Sequence, residues 1–250
     1  MTTFKNQDIN EQINALITEI YHAFSQYSIQ EIHGVCTYCC MNKESANAIE
    51  KSSLKSLTSS TIREYLDAAQ YDTHNDTLVS EIKYLLPRAF ELFNDNQEIR
   101  LENELNFDKF YFNLTTLWKP SEIELIEQFV KLHFHKTVIE RDENICKPLD
   151  ELILMWLNSG LDIEFLFEQW EIYASHSKAI VDYVSLLYSI GYNPCKETFS
   201  SKNSAKGLID WATSARVIKH FQDSIYANLD NLDTLSEAEL FDYDYLLNYT

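Results

Sequence analysis

The chain has 250 residues, with 39 acidic against 20 basic side chains and a formal net charge of -19, a balance that repels phosphate backbones and argues against a nucleic-acid partner. Its 45% hydrophobic and 13% aromatic residues are too much apolar material for a disordered chain, while only four Gly and four Pro exclude a turn-rich sandwich or barrel. No apolar run reaches the roughly 18 residues of a membrane span, and the opening MTTFKNQDINEQ lacks a basic-then-apolar export layout, so a cytoplasmic address without a membrane partner is expected.

From Asp8, the spacing of Ile9, Ile13, Leu16, Ile17, Ile20 and Phe24 predicts an amphipathic helix capped by Asp8. A short helix is expected near Asn42, and another follows Thr58 or Ser59, with Ile62, Tyr65, Leu66 and Ala69 on one face. The helical run DTLVSEIKYLLPRAFELF contains Pro87, which removes a backbone donor, so a break and restart is expected there. The aromatic-rich stretch from Glu98 to Trp118 is read as helix. Ser121 with Glu124 reads as a capping box before Ile126, Phe129, Val130 and Phe134.

The polar span RDENICKPLD separates two strongly periodic regions, an N-terminal helical part (1–145) and a C-terminal helical part (146–250), expected to pack as one globular unit. Beyond it, Gly160 should end one helix and Asp162 cap the next, Ser177 should open a helix that stops at Gly191, and residues 205–228 read as one longer helix. Ser236 with Glu239 is a second capping box. The fold class is therefore all-α, either a multi-helix bundle or an irregular α-solenoid of helical pairs. Ile13, Leu16, Ile20, Leu66, Leu86, Phe90, Phe129, Leu166, Trp170 and Trp211 are assigned to the core.

Chemistry is harder to find. No HExxH, glycine-rich phosphate loop or GxSxG elbow is present, so neither an enzymatic site nor a cofactor is implied. The five cysteines, Cys36, Cys39, Cys40, Cys146 and Cys195, are an odd set for a disulfide framework. His33, Cys36, Cys39 and Cys40 have metal-ligand chemistry, although adjacent Cys39 and Cys40 are not expected to address one ion, and small buried thiols are the simpler account. His133 and His135 read as surface residues. Arg88 reads as the partner of Glu91 beside Pro87.

Acidic residues are more suggestive. Glu164, Glu168 and Glu171 share a helix face opposite Ile163, Leu166, Phe167, Trp170 and Tyr173. From Phe221 onward no Lys or Arg occurs, while Asp223, Asp230, Asp233, Glu237, Glu239, Asp242 and Asp244 accumulate beside Tyr243, Tyr245 and Tyr249. Uncompensated acid mixed with tyrosine suits an interface with a basic partner, because aromatics anchor and charges steer.

Three segments, Cys36-Thr37-Tyr38-Cys39, IKYLLPRAFEL from Ile82 to Leu92, and AKGLIDWATSARVIKHFQDSIY from Ala205 to Tyr226, together resemble a widespread family of uncharacterised bacterial proteins. The LPR block is the most specific part, and the doubled Cys40 departs from the simple Cys pair. The resemblance implies a helical fold and, for some members, a role as immunity proteins encoded beside secreted polymorphic toxins. The expected function is thus a cytoplasmic inhibitor that binds a cognate protein toxin, such as a nuclease or another basic enzyme, through an acidic helical surface. Partner-binding residues would be Glu164, Glu168, Glu171, Asp230, Asp233, Asp242, Tyr243, Asp244 and Tyr245. The alternative is a metal-binding enzyme or redox protein using His33, Cys36 and Cys39.

Overall fold

A computed structural model of the chain describes residues 8–71, 76–102, 105–139, 148–192, 205–227 and 236–249. Among them are eleven α-helices and no strand beyond an isolated antiparallel bridge between Val35 and Gln70, so the fold is all-α and multi-helical. The chain divides into two compact units, one of Met1–His133 with Ser159–Leu161, the other of Phe134–Asn158 with Asp162–Thr250.

The first unit opens with α1 (Ile9–Ala23), whose start is fixed by Asp8 accepting the Asn10 amide and whose buried face is Ile9, Ile13, Leu16, Ile17 and Ile20. Asn42 caps α2 (Lys43–Lys51) by accepting from the Ser45 amide, and Thr58 caps α3 (Ser59–Asp67) by accepting from Thr61. Helix α4 (Asp76–Asn94) continues through Pro87, contrary to the expected break and restart. An interior proline costs about 3 kcal/mol. Here Leu85, Leu86, Ala89, Phe90, Leu92 and Phe93 are all buried on either side of it. Burying each large apolar side chain contributes about 1.5–3 kcal/mol, so their burial outweighs the proline and keeps the helix whole.

The aromatic-rich stretch after α4 is not a helix. Among its described residues it forms turns and a short 3₁₀ segment, Asp108–Phe110, with Tyr111 in the left-handed region at φ 53°. The reason is ring placement: Phe107, Phe110, Phe112 and Trp118 are all buried, and a single helix face could not bury all four. Phe107 stands edge-on to Phe90 and Phe93, with centroids 5.4 and 5.2 Å away, and Phe112 edge-on to Trp118 at 4.9 Å. Arg100 pins the turns from within by reaching Asp67 at 2.6 Å and Asp108 at 2.5 Å.

Helix α5 (Pro120–Ile139) begins with proline in its first position, where a missing amide costs nothing. Its start is held by Glu122, which accepts the Lys119 amide at 2.9 Å, so the helix begins two residues before the expected Ser121–Glu124 box and only a glutamate closes it.

In the second unit, α6 (Leu149–Asn158) leads to Gly160 at φ +83°, the left-handed position expected of it. Asp162 accepts the Glu164 amide at the start of α7 (Glu164–Ile172). Helix α8 (Ser177–Tyr192) ends one residue past Gly191, where the stop was expected. The expected long helix is two, α9 (Lys206–Ala212) and α10 (Ala215–Ala227), because Thr213 and Ser214 turn their hydroxyls back onto Ile209 and Trp211 carbonyls. Helix α11 (Glu237–Leu247) carries the expected capping box of Ser236 and Glu239.

Trp170 organises this unit's core. Its indole N–H donates to the Ala179 carbonyl at 2.9 Å, and its ring lies 5.2 Å from Trp211. Tyr183 stacks on Phe221 at 4.1 Å and donates to the Ala212 carbonyl, tying α8 to α9 and α10. All ten residues assigned to the core are buried.

Candidate functional site

The C-terminal helix has two faces. Tyr243 and Leu246 point inward where α11 packs on α8 and α10, and Tyr243 is only 8% exposed. It therefore leaves the set of partner-binding residues, since a helix turns about 200° over two residues and Tyr243 lies opposite Tyr245. Phe241, Asp244, Tyr245, Asn248 and Tyr249 follow helical spacing and line a shallow depression of ≈ 510 Å³ on the outer side. Phe241 is 63% exposed and the neighbouring Leu240 is 40% exposed. Tyr245 is fixed by stacking on Tyr188 of α8, with centroids 4.0 Å apart, and Tyr249 follows at 5.7 Å.

Acid frames this apolar strip. Asp244 and Glu237 are exposed, and Asp242 is half-buried, its carboxyl pushed up by burial and then by Glu239. Glu239 is committed to the fold, because it accepts from the Ser236 amide and hydroxyl and from the Ser177 hydroxyl of α8. Asp223 pairs with Lys219 at 2.8 Å. Asp230 and Asp233 lie outside the described residues.

The carboxylate row on α7 does not survive as a set. Glu164 and Glu168 are exposed, but Glu171 is bound in two teeth by Arg216, at 2.6 and 2.8 Å, and accepts the Trp211 indole N–H at 2.8 Å. The Arg216 bonds, more than the burial that opposes them, hold its carboxyl below the usual range. Glu171 is a clasp between α7, α9 and α10.

The first unit holds a different cluster. Residues 37–40 form a tight turn, which brings the Cys36 and Cys39 sulfurs to 3.4 Å and those of Cys39 and Cys40 to 3.7 Å. All three sulfurs lie within 4.8 Å of one another, so the adjacent pair does converge: a turn, unlike a strand, need not send neighbouring side chains to opposite sides. His33 is outside this set, its imidazole instead 3.7 Å from Glu31. Cys39 and Cys40 are exposed, which removes the buried-hydrophobe account of these thiols. Cys146 and Cys195 lie outside the described residues. The backbone N–H and then the thiol of Cys39 hold the Cys36 thiol down at about 6, while Cys39 is pushed up to about 11 by its bonds to Cys36 and Cys40.

What positions this turn is a buried acid that sequence reasoning passed over. Glu81 of α4 accepts the His33 amide at 2.6 Å, the Gly34 amide at 3.0 Å and the Tyr65 hydroxyl at 2.7 Å. Gly34 has to be glycine, since a Cβ there would sit 2.7 Å from Glu81 Oε2 and 3.0 Å from the Leu78 Cα. Just beyond, the Cys36 amide donates to Ala69 O at 2.8 Å and Tyr71 N to Gly34 O at 3.2 Å, closing the Val35–Gln70 bridge. On the far side, Asn42 donates its amide and side chain to Glu64 at 3.0 and 2.6 Å.

A second buried acid, Glu122, pairs with Lys83 at 2.7 Å, both side chains being about 5% exposed or less. Lys83 also donates to the Leu117 carbonyl and lies over the Trp118 ring at 4.8 Å. Burial pushes the Glu122 carboxyl up, but bonds from Lys83, Tyr27 and the Lys119 amide outweigh it and leave it lowered. This enclosed network is structural.

Arg88 meets Glu91 at 2.6 Å as expected and donates to the Leu57 carbonyl, while Glu91 also accepts the Tyr21 hydroxyl. The histidines differ from expectation. His133 is buried against Phe93, at 4.6 Å between ring centroids, and half-buried His135 bonds the Tyr173 hydroxyl.

No protein-family model, curated protein or solved structure matches the chain.

Proposed function

We propose that the chain is an immunity-type inhibitor that neutralises a basic protein toxin by capturing it on the outer face of α11. The observation that carries the proposal is Phe241, 63% exposed on a helix whose charged side chains are all acidic, at the end of a chain with a net charge of -19. Beside Phe241, Tyr245 is held by stacking on Tyr188 and loses little entropy on binding, and the acid around both steers a basic partner to the site. The resemblance to the bacterial family supplies the toxin as the partner class.

The acting residues are Phe241 and Tyr245 as anchors, with Asp242, Asp244 and exposed Glu237 as steering charges. Exposed Glu164 and Glu168 add to the field. Glu171 and Tyr243 are structural.

The test is binding kinetics against the secreted effector encoded beside this gene. Phe241→Ala should weaken binding about fivefold or more through faster dissociation, as expected of an anchor contributing over 1 kcal/mol. Asp242→Lys with Asp244→Lys should instead slow association, and the difference should shrink in high salt. A genome neighbourhood without such an effector, or unchanged kinetics in both variants, overturns the proposal.

A further inference from the structure

The three thiols of the 36–40 turn serve neither the core nor the α11 surface. We propose that Cys36, Cys39 and Cys40 form a binding site for a thiophilic cation, zinc, and supply three of its ligands.

The geometry is the first argument. Zinc–thiolate bonds of ~2.3 Å in a tetrahedron place the sulfurs about 3.8 Å apart. The sulfur separations of 3.4 and 3.7 Å, with all three inside 4.8 Å, need only small side-chain adjustments to reach that figure.

Anchoring is the second. The turn is held at both ends, by Glu81 and the Val35–Gln70 bridge before Cys36 and by the Asn42–Glu64 bonds after Cys40. Binding therefore orders little new backbone, which favours affinity. A free loop would have no reason to hold three sulfurs together.

Exposure is the third. Packing explains a buried cysteine, but Cys39 and Cys40 are exposed and Cys36 is half-buried, so the apolar interior does not hold them together. A Cys36–Cys39 disulfide would use two sulfurs and leave Cys40 beside them unexplained. Thiolates as a set select zinc and copper(I) among biological metals. Zinc is the assignment because its tetrahedral sites are built on Cys thiolates and need no more than three protein ligands. Beside the thiols, Tyr38 is 95% exposed and Tyr71, which bonds the Cys36 thiol, is 65% exposed, so the cluster lies at the surface.

The experiment titrates reduced full-length protein with zinc against a chromophoric chelator, and with cobalt(II) to read the thiolate-to-metal charge-transfer bands. One equivalent per chain is expected, with a band intensity corresponding to three thiolates. Cys36→Ser, Cys39→Ser and Cys40→Ser should each weaken binding by more than about tenfold, since loss even of an outer-shell partner costs 10–100-fold. His33→Ala and the double Cys146→Ser/Cys195→Ser variant should retain it. As a check independent of folding, zinc should protect three thiols of the native protein from alkylation, counted by mass. Unchanged zinc affinity in the triple serine variant, no binding above the chelator, or a Cys36–Cys39 disulfide forming in zinc-loaded protein would each overturn the assignment.

Discussion

Removing the Glu81 carboxylate should loosen the segment from His33 to Cys36 before it affects anything else. In Glu81→Ala three donors lose their acceptor together: the Gly34 amide and the Tyr65 hydroxyl, both buried, and the part-buried His33 amide. A buried donor left unpaired costs about 1–3 kcal/mol, so the first two set the scale and the total should be about 3–7 kcal/mol. Glu81→Gln keeps one oxygen for the two amides and turns its NH₂ toward Tyr65. It loses the charge assistance, about 1 kcal/mol per bond, and makes the Tyr65 hydroxyl an acceptor where it had donated, so it should cost about 2–4 kcal/mol. The order parent, Gln, Ala is thus a stronger expectation than either value. Urea unfolding followed by circular dichroism gives the stability, and hydrogen exchange at the His33 and Gly34 amides localises it. An Ala variant within about 0.5 kcal/mol of the parent, the range of inert surface changes, or unchanged protection at Gly34, would refute the reasoning.

Three further outcomes follow from single sites. Gly160→Ala should destabilise by about 2 kcal/mol or more, because φ +83° disfavours any Cβ and one there would sit 3.0 Å from the Asn113 backbone nitrogen; Gly191→Ala and Gly207→Ala, helical and in open space, should stabilise by about 0.5–1 kcal/mol, and thermal melts that rank Gly160→Ala with these two would contradict this. Lys83→Met should cost about 3–5 kcal/mol by stranding the Glu122 carboxylate, whereas Lys83→Met with Glu122→Gln should recover much of the loss; equal urea midpoints for the two would show that the pair is not coupled. Burial, then Asp182 and Glu151, push the Asp150 carboxyl up to about 6. The folded chain then holds a proton that the unfolded chain releases near pH ~4, so this group's contribution to stability is present at low pH and is lost as pH rises from about 4 to 6. Asp150→Asn should remove that part of the slope, and melting temperatures of parent and variant that run parallel across the window would show the shift is absent.

Local chemistry made much of the fold legible. Asp8, Thr58 and the Ser236–Glu239 box mark helix starts because a cap needs only residues within one turn, and Gly160 is marked by a backbone angle that only glycine adopts freely. Pro87 misleads because the burial that holds α4 together comes from residues distant in sequence. The stretch before Trp118 misleads because rings at Phe107, Phe110 and Phe112 can reach the core from turns as well as from a helix. The site was legible only as composition. The sequence shows the Cys36–Cys39 spacing, but not that a turn swings Cys40 to the same side. It shows acid and tyrosine near the C-terminus, but the inward face of α11 had to be known before Phe241 could replace Tyr243. Glu81 was hidden among 39 acidic residues; what distinguishes it is three donors, all from outside α4.

The short segment Ser159–Leu161 has a consequence for how this molecule can be taken apart. It belongs to the first unit although both flanking helices, α6 and α7, belong to the second. Its Ser159 carbonyl accepts the Phe112 amide at 2.9 Å, and Gly160 lies so close to Asn113 that a Cβ would sit 2.6 Å from its side-chain oxygen. The first unit is therefore discontinuous in the gene. A fragment ending anywhere from 134 to 158 leaves the Phe112 amide without its acceptor, and one beginning there carries a piece of another unit's interior. No single protease cut or stop codon therefore separates the two without stripping the first unit of this segment, so functional dissection calls for point substitutions in the intact chain.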